Sequence, residues 1–315
     1  MLPTKSLNPW RMAFFAIAAA LLIFAFTSGG YLVTVLSFAA IYAIFVIGLN
    51  FFMGYAGQVS FGQNAFAALG GYASAVLTST YGWTPMAALP VGLSLAVSVA
   101  LLVGYPALRL RGHYLAMATL ALGMIVYEIA VEWQSVTQGY MGISGIPPFG
   151  IGRWELVDAK EQLLFLIGVM GVCLFAAYRL KESRFGRALA AIAGSEDAAQ
   201  ALGISISHYK LAAFVIAAVY AALAGILMVH FVGFVSPEVF GLHMVIAGFT
   251  MLYVGGIGSI GGPLLGALII SLLPETFRGF KDYQDLAYGA ALIMILIFAP
   301  KGAASLTQLF VKGRR

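Results

Sequence analysis

Polar side chains able to bind a solute or transmit a motion fall into a few short stretches of an otherwise apolar chain. The first stretch is Gly54-Tyr55-Ala56-Gly57-Gln58-Val59-Ser60-Phe61-Gly62-Gln63-Asn64, which sets Gln58, Ser60, Gln63 and Asn64 among glycines that unwind helices. Unwound backbone at membrane depth survives only where it is buried in protein or lines a cavity, so this stretch is expected to line a pathway. A zwitterionic solute would find donors for its carboxylate at the helix start after the glycines. Free carbonyls with Gln58, Ser60 or Asn64 would accept from its ammonium, and Phe61 and Phe66 would form an apolar wall. No full charge lies in the stretch, which suits a site that must release what it holds. A second glycine break, Gly255-Gly256-Ile257-Gly258-Ser259-Ile260-Gly261-Gly262-Pro263, offers only Ser259 as a polar side chain. Close helix packing explains it as well as a pathway does.

The segment from Arg179 to Lys210 is the longest that cannot be laid in a bilayer. Within it Ser195 can cap a helix over Glu196–Leu202, with Glu196 and Asp197 in the first turn and Gly203 as the left-handed stop. A helix of about two turns is marginal in water, so capping at both ends implies docking against something. Ala198, Ala201 and Leu202 would form its small apolar knob. An ordinary basic loop between spans is the plainer alternative.

Other groups able to do chemistry are scattered. Glu128 and Glu132 lie one helical turn apart, and Glu275 stands near the end of another apolar run; all three read as solvated span ends. Gly142-Ile143-Ser144-Gly145 mimics the nucleophile motif of rhomboid-like intramembrane serine proteases, with His243 as a conceivable base. Ser144, however, sits in a Pro/Gly loop and not at a buried helix start. Asp158, Asp197, Asp282 and Asp285 fall in loops or at span ends, so no intramembrane aspartyl pair is expected. The histidines 113, 208, 230 and 243 stand singly and Cys173 is the only cysteine, so neither a metal site nor a disulfide is expected.

The elements that must position these groups are membrane helices. Hydrophobic residues make up 62% and charged residues 9% of the 315, and the mean hydropathy is +0.96, which excludes a soluble globular domain. The pI near 9.3 invites a nucleic-acid reading, but the basic residues are spread between spans instead of gathered on one face. At about 20 apolar residues per span, fewer where a span is broken, the chain reads as ten spans: 12–28, 31–52, 64–80, 86–108, 114–132, 162–179, 211–231, 242–257, 263–278 and 286–299. The run after Lys5 and Arg11 is followed by no cleavage-type A-x-A and is expected to be a retained helix. With the N-terminus inside, 13 of the 17 cations fall on the inner side, leaving Arg153, Lys160, Arg278 and Lys281 outside. That bias fits the positive-inside rule with both termini cytoplasmic. The longest outer segment, Trp133 to Glu161, is punctuated by Gly and Pro and reads as a loop or lid. Residues 1–315 thus form a single all-α polytopic membrane domain with one cytoplasmic loop, 180–210.

Asp197-Ala198-Ala199-Gln200-Ala201-Leu202-Gly203 resembles the EAA-xxx-G motif of ABC-importer permeases, with Asp in the Glu position. Ser183 followed by Gly186-Arg187-Ala188-Leu189 resembles the S-x-x-G-R-A-L run of branched-chain amino-acid permeases of the LivH/LivM type, the LivM branch in particular. Gly54, Tyr55, Gly57, Gln58, Ser60 and Gly62 match that family's G-Y-x-G-Q-x-S-x-G run; where the family commonly has a histidine next, this chain has Gln63 and Asn64. Further matches run through Leu108-Arg109-Leu110-Arg111-Gly112, Tyr114, Thr119-Leu120-Ala121, Thr137, Gly139, Gly142 and Ser144-Gly145-Ile146-Pro147, so the likeness extends from Gly48 to Pro300. It implies the ABC importer permease fold and a permease subunit of an ATP-driven importer of branched-chain or related amino acids in the bacterial inner membrane. The same architecture also serves urea, amides or aromatic acids. The resemblance further implies that Gly186, Arg187, Glu196, Asp197, Ala198, Ala199 and Gly203 couple the chain to an ATPase. The implied partners are a second homologous permease, two ATP-binding cassette ATPases and a periplasmic binding protein. The chain has no G-x-x-x-x-G-K-[ST] of its own, so ATP is expected on those ATPases and no cofactor or catalytic residue in this chain.

Overall fold

The computed structural model describes residues 30–151 and 154–276, together with positions 289 and 293. The expected span 12–28, and all of 286–299 except positions 289 and 293, lie outside the described residues. The other eight are helices within a few residues of their expected bounds. They are α1 (Gly30–Asn50), α2 (Gln63–Ser79), α3 (Pro85–Ala107), α4 (His113–Glu132), α5 (Ala159–Glu182), α8 (Ile206–Val232), α9 (Leu242–Gly255) and α10 (Gly262–Thr276). Between α5 and α8 lie α6 (Arg184–Gly194) and α7 (Glu196–Ala201). Six stretches of the described residues are long and apolar enough to cross a bilayer, and the chain is a polytopic membrane protein.

Burial sorts these helices. In α1 and α8, 72% of the most apolar window is enclosed by the rest of the chain, against 22% in α3 and α5, so the first two form the centre. Helices that are apolar on every face belong in such a position. Between α2 and α8 the packing is close enough that a methyl on Gly225 would run into the Ala67 carbonyl, a small-residue contact that lets backbones touch where no hydrophobic force operates between helices.

Local chemistry sets the ends. Pro85 opens α3, where its missing N–H costs nothing. Asp158 caps α5 by accepting from the Lys160 amide, and Ser183 caps α6 by accepting from that of Phe185. Beyond α1 the chain tightens into a π-helical turn, Phe51–Tyr55, and then runs irregularly to Gly62.

The loops collect at two ends. At one end Ile143–Ser144 (β1) pairs antiparallel with Phe234–Val235 (β4), and Gly150–Ile151 (β2) with Trp154–Glu155 (β3). Ile143, Ile146 and Phe149 are buried beneath this cap, so the segment expected to be a loop or lid is a packed cover. The other end carries both glycine breaks and the α5–α8 connection. His230, near the end of α8, is 2% exposed. Its Nδ1 donates to the Pro147 carbonyl at 2.7 Å, which leaves Nε2 to accept from the Ser74 hydroxyl at 2.7 Å.

Candidate functional site

The first break is divided between two environments. Gln58 is turned toward the α5–α8 connection, where its amide donates to Glu196 Oε1 at 3.3 Å and to the Ala56 carbonyl at 3.3 Å. Ser60, Phe61 and Gln63 line a narrow cleft with Phe45 and Leu49 of α1 and Val245 and Phe249 of α9. The Phe61 ring lies 5.3 Å from that of Phe249, and the Phe61 amide donates to Thr119 Oγ1 of α4 at 3.0 Å. Phe66, expected in the same wall, is fully buried against Phe214 of α8 and does not line this cleft.

Gln63 is 2% exposed, and neither its amide nitrogen nor its amide oxygen has a hydrogen-bond partner among the described residues. Burying an amide without partners costs roughly 1–3 kcal/mol on protein scales, so Gln63 is an expensive group at this position. Asn64 is half satisfied. Its nitrogen donates to the Phe240 carbonyl at 2.8 Å, while its oxygen has no partner and faces Gly123 of α4. The bond to Phe240 draws the turn Pro237–Phe240 down to the level of the first turn of α2, a re-entrant feature that the apolar run 242–257 does not announce.

The second break is held by its backbone. Asn50, 1% exposed at the end of α1, donates to the Ser259 carbonyl at 2.7 Å and accepts from the Gly258 amide at 2.8 Å. Lys181 donates to the Gly258 carbonyl at 3.0 Å and lies 4.8 Å from the centroid of the Tyr55 ring. Gly258 itself has φ +75°, and Gly54 packs so closely on Asn50 that no side chain fits there. Sequence reasoning passed over Asn50 and counted Lys181 as topology. A lone amide four residues before a glycine, in an apolar run, was the available signal.

In the α5–α8 connection Ser195 accepts from the Ala198 amide at 3.3 Å and Gly203 has φ +80°, as the capped helix requires. Asp197, Ala198, Ala201 and Leu202 are exposed, Leu202 at 80%. Ala199 is not part of this outer face: at 1% exposure it packs into the chain, because one face of so short a helix must be buried to hold it. Gly186 is buried where an added methyl would strike the Lys181 carbonyl, and Arg187 donates to the Glu182 carbonyl at 2.8 Å. Glu196 pairs with Lys210 at 2.5 Å. Burial pushes the Glu196 carboxyl up, but hydrogen bonds from Lys210 and Gln58 and the Lys210 and Arg111 charges together hold it below the ordinary carboxylate value.

A break carrying the unpaired Gln63 amide thus lies next to a capped helix held on a charged base. The family model described as "Branched-chain amino acid transport system / permease component" matches residues 31–299. The chain belongs to this permease family. It is 33% identical over 88% of its length, and 70% of the relative, to the high-affinity branched-chain amino acid transport system permease protein LivM of Escherichia coli (strain K12). It is 26% identical to LivH of the same strain, over 83% of the chain and 90% of the relative. Ribose import permease protein RbsC of Escherichia coli (strain K12) is 27% identical over 71% of the chain and 72% of the relative. The permease is therefore of the LivM type, a permease subunit of an ABC importer. In that setting the protease-like Ser144 is a strand residue opposite Phe234 and has no hydrogen bond to a histidine among the described residues.

Proposed function

We propose that this permease carries branched-chain amino acids across the bacterial inner membrane, with the break Gly54–Asn64 lining the route. Similarity to LivM over 88% of the chain supports the substrate class, and the buried, unpartnered amide of Gln63 supports the route. Gln63 can both donate to a carboxylate and accept from an ammonium, and Phe45, Phe61, Val245 and Phe249 around it suit a branched apolar side chain. The chain crosses the membrane ten times with both termini in the cytoplasm, as its cation bias favours. Energy comes from two ATP-binding cassette subunits that meet the loop 180–210 at Asp197, Ala198 and Leu202. A second homologous permease completes the channel, and a periplasmic binding protein delivers the solute. The experiment is uptake into proteoliposomes holding the assembled transporter and its binding protein. Leucine, isoleucine and valine should be taken up in an ATP-dependent manner. Uptake of urea or phenylalanine with none of leucine would overturn the substrate assignment.

A further inference from the structure

Two lysines bracket the loop between α5 and α8: Lys181 bonds the second glycine break and covers Tyr55 of the first, and Lys210 reaches the first through Glu196. Lys181, one residue before the end of α5, holds the Gly258 carbonyl and the face of Tyr55. Lys210, in the first turns of α8, is 3% exposed; its ammonium pairs with the Glu196 oxygen that also accepts from Gln58. Between them, Gly57 backs onto α6, where an added Cβ would lie 3.2 Å from that of Ala193. The Phe185 and Tyr209 rings stack 5.7 Å apart and close the base of the loop. Through Asn50 the second break is fixed to the end of α1, from which the first break departs.

We propose that Lys181 and Lys210 are positioning residues of the transport cycle, carrying displacement of the loop 183–209 into the second and the first break respectively. Exposed ion pairs stretch at little cost, and a loop held by them would move without moving what it touches. A buried ammonium is different. Pulled from its partner it is left unpaired in a poorly solvated site, so the partner is dragged along before the contact breaks. Lys210 meets that condition by its burial, and Glu196, as the first residue of α7, turns motion of that helix into motion of Gln58. Lys181, half-buried, is held at two points, the Gly258 carbonyl and the face of Tyr55. Both breaks are irregular backbone between packed helices, where a pull on one contact is not spread along a helix.

This inference rests on the reading that the loop meets an ATPase, and the two can be tested apart. In proteoliposomes of the assembled transporter, leucine uptake and ATP hydrolysis are measured together for Lys181→Met, Lys210→Met and the double variant Glu196→Gln/Lys210→Met. Leucine transported per ATP should fall roughly tenfold in each single variant, within the range of ordinary coupling energies. The double variant removes the buried ammonium together with the charge of its partner carboxylate, so its membrane abundance should return to that of the unaltered protein while the ratio stays low. An unchanged ratio in both single variants, or a ratio restored along with abundance in the double variant, overturns the inference. Leu202→Cys, in an otherwise unaltered chain, should cross-link to the ATPase subunit. Failure of that cross-link overturns the docking reading itself, whereas a cross-link with unchanged ratios overturns only the role of the lysines.

Discussion

The two glycine breaks sit at the same end of the molecule and are built on opposite principles. In the first, side chains do the holding. Gln58 reaches the loop, Asn64 reaches a re-entrant carbonyl, and Gln63 is left unpaired beside a cleft. In the second, the side chains are small and the backbone is held from outside, by Asn50 on Gly258 and Ser259 and by Lys181 on Gly258. Around it α9 and α10 meet with no room for a methyl on Gly255 or Gly266. A break with spare hydrogen-bonding capacity can greet a solute, whereas a break whose capacity is spent on its neighbours serves as an anchor.

The largest test of that contrast is Asn50→Leu. It removes a donor and an acceptor at once and leaves the half-buried Gly258 amide and Ser259 carbonyl without that partner, at up to about 1–3 kcal/mol each. The variant should fall well below wild-type abundance in the membrane, and what remains should melt lower by differential scanning fluorimetry in detergent. Wild-type abundance and melting together would show that the second break needs no anchor. Gln63→Leu should behave in the opposite way. Replacing an unpartnered buried amide by an apolar group of similar size is neutral or stabilising, so abundance and melting should hold or rise. Leucine uptake at matched abundance should fall by up to about tenfold, the worth of one lost hydrogen bond. Full uptake by the Gln63 variant would remove the first break from the route.

The reach of the sequence follows the same division. Eight helices were legible because bilayer length and apolar continuity are properties of contiguous residues, and the cap Ser195 with the stop Gly203 was legible because capping is local. What escaped was long-range. Asn50 lies 208 residues from Gly258, and His230 lies 156 from Ser74. Neither pairing leaves a mark near its own position. Ala199 is named by the motif as a coupling residue, but the motif does not tell which side of the helix is buried, and Ala199 is on that side. Phe66 is expected in the wall with Phe61, but Phe61 lies in the irregular stretch before α2 and Phe66 on α2 itself, where it packs against Phe214. The re-entrant turn Pro237–Phe240 stayed hidden because its two buried residues resemble the start of an ordinary span.

The smallest effect separates the two breaks by acid. Glu196 is held below the ordinary carboxylate value in the folded chain, so it binds protons less readily there than in the unfolded chain. Its contribution to stability is therefore complete above the unfolded value of about 4.3 and is lost as pH falls through the lowered folded value. The tie to the first break should thus be constant from about pH 5 to 8 and weaken below about pH 4. The acceptors that Asn50 and Lys181 use at the second break are backbone groups that do not titrate. Comparing the unaltered permease with Glu196→Gln cancels the other carboxylates that protonate in the same range. The gap in melting temperature between the two should be flat from pH 8 to pH 5 and narrow toward pH 3.5. Solvent reaches part of the Glu196 side chain, which keeps the gap modest. A gap of constant width down to pH 3.5 would mean that the Lys210 charge contributes nothing to holding the first break.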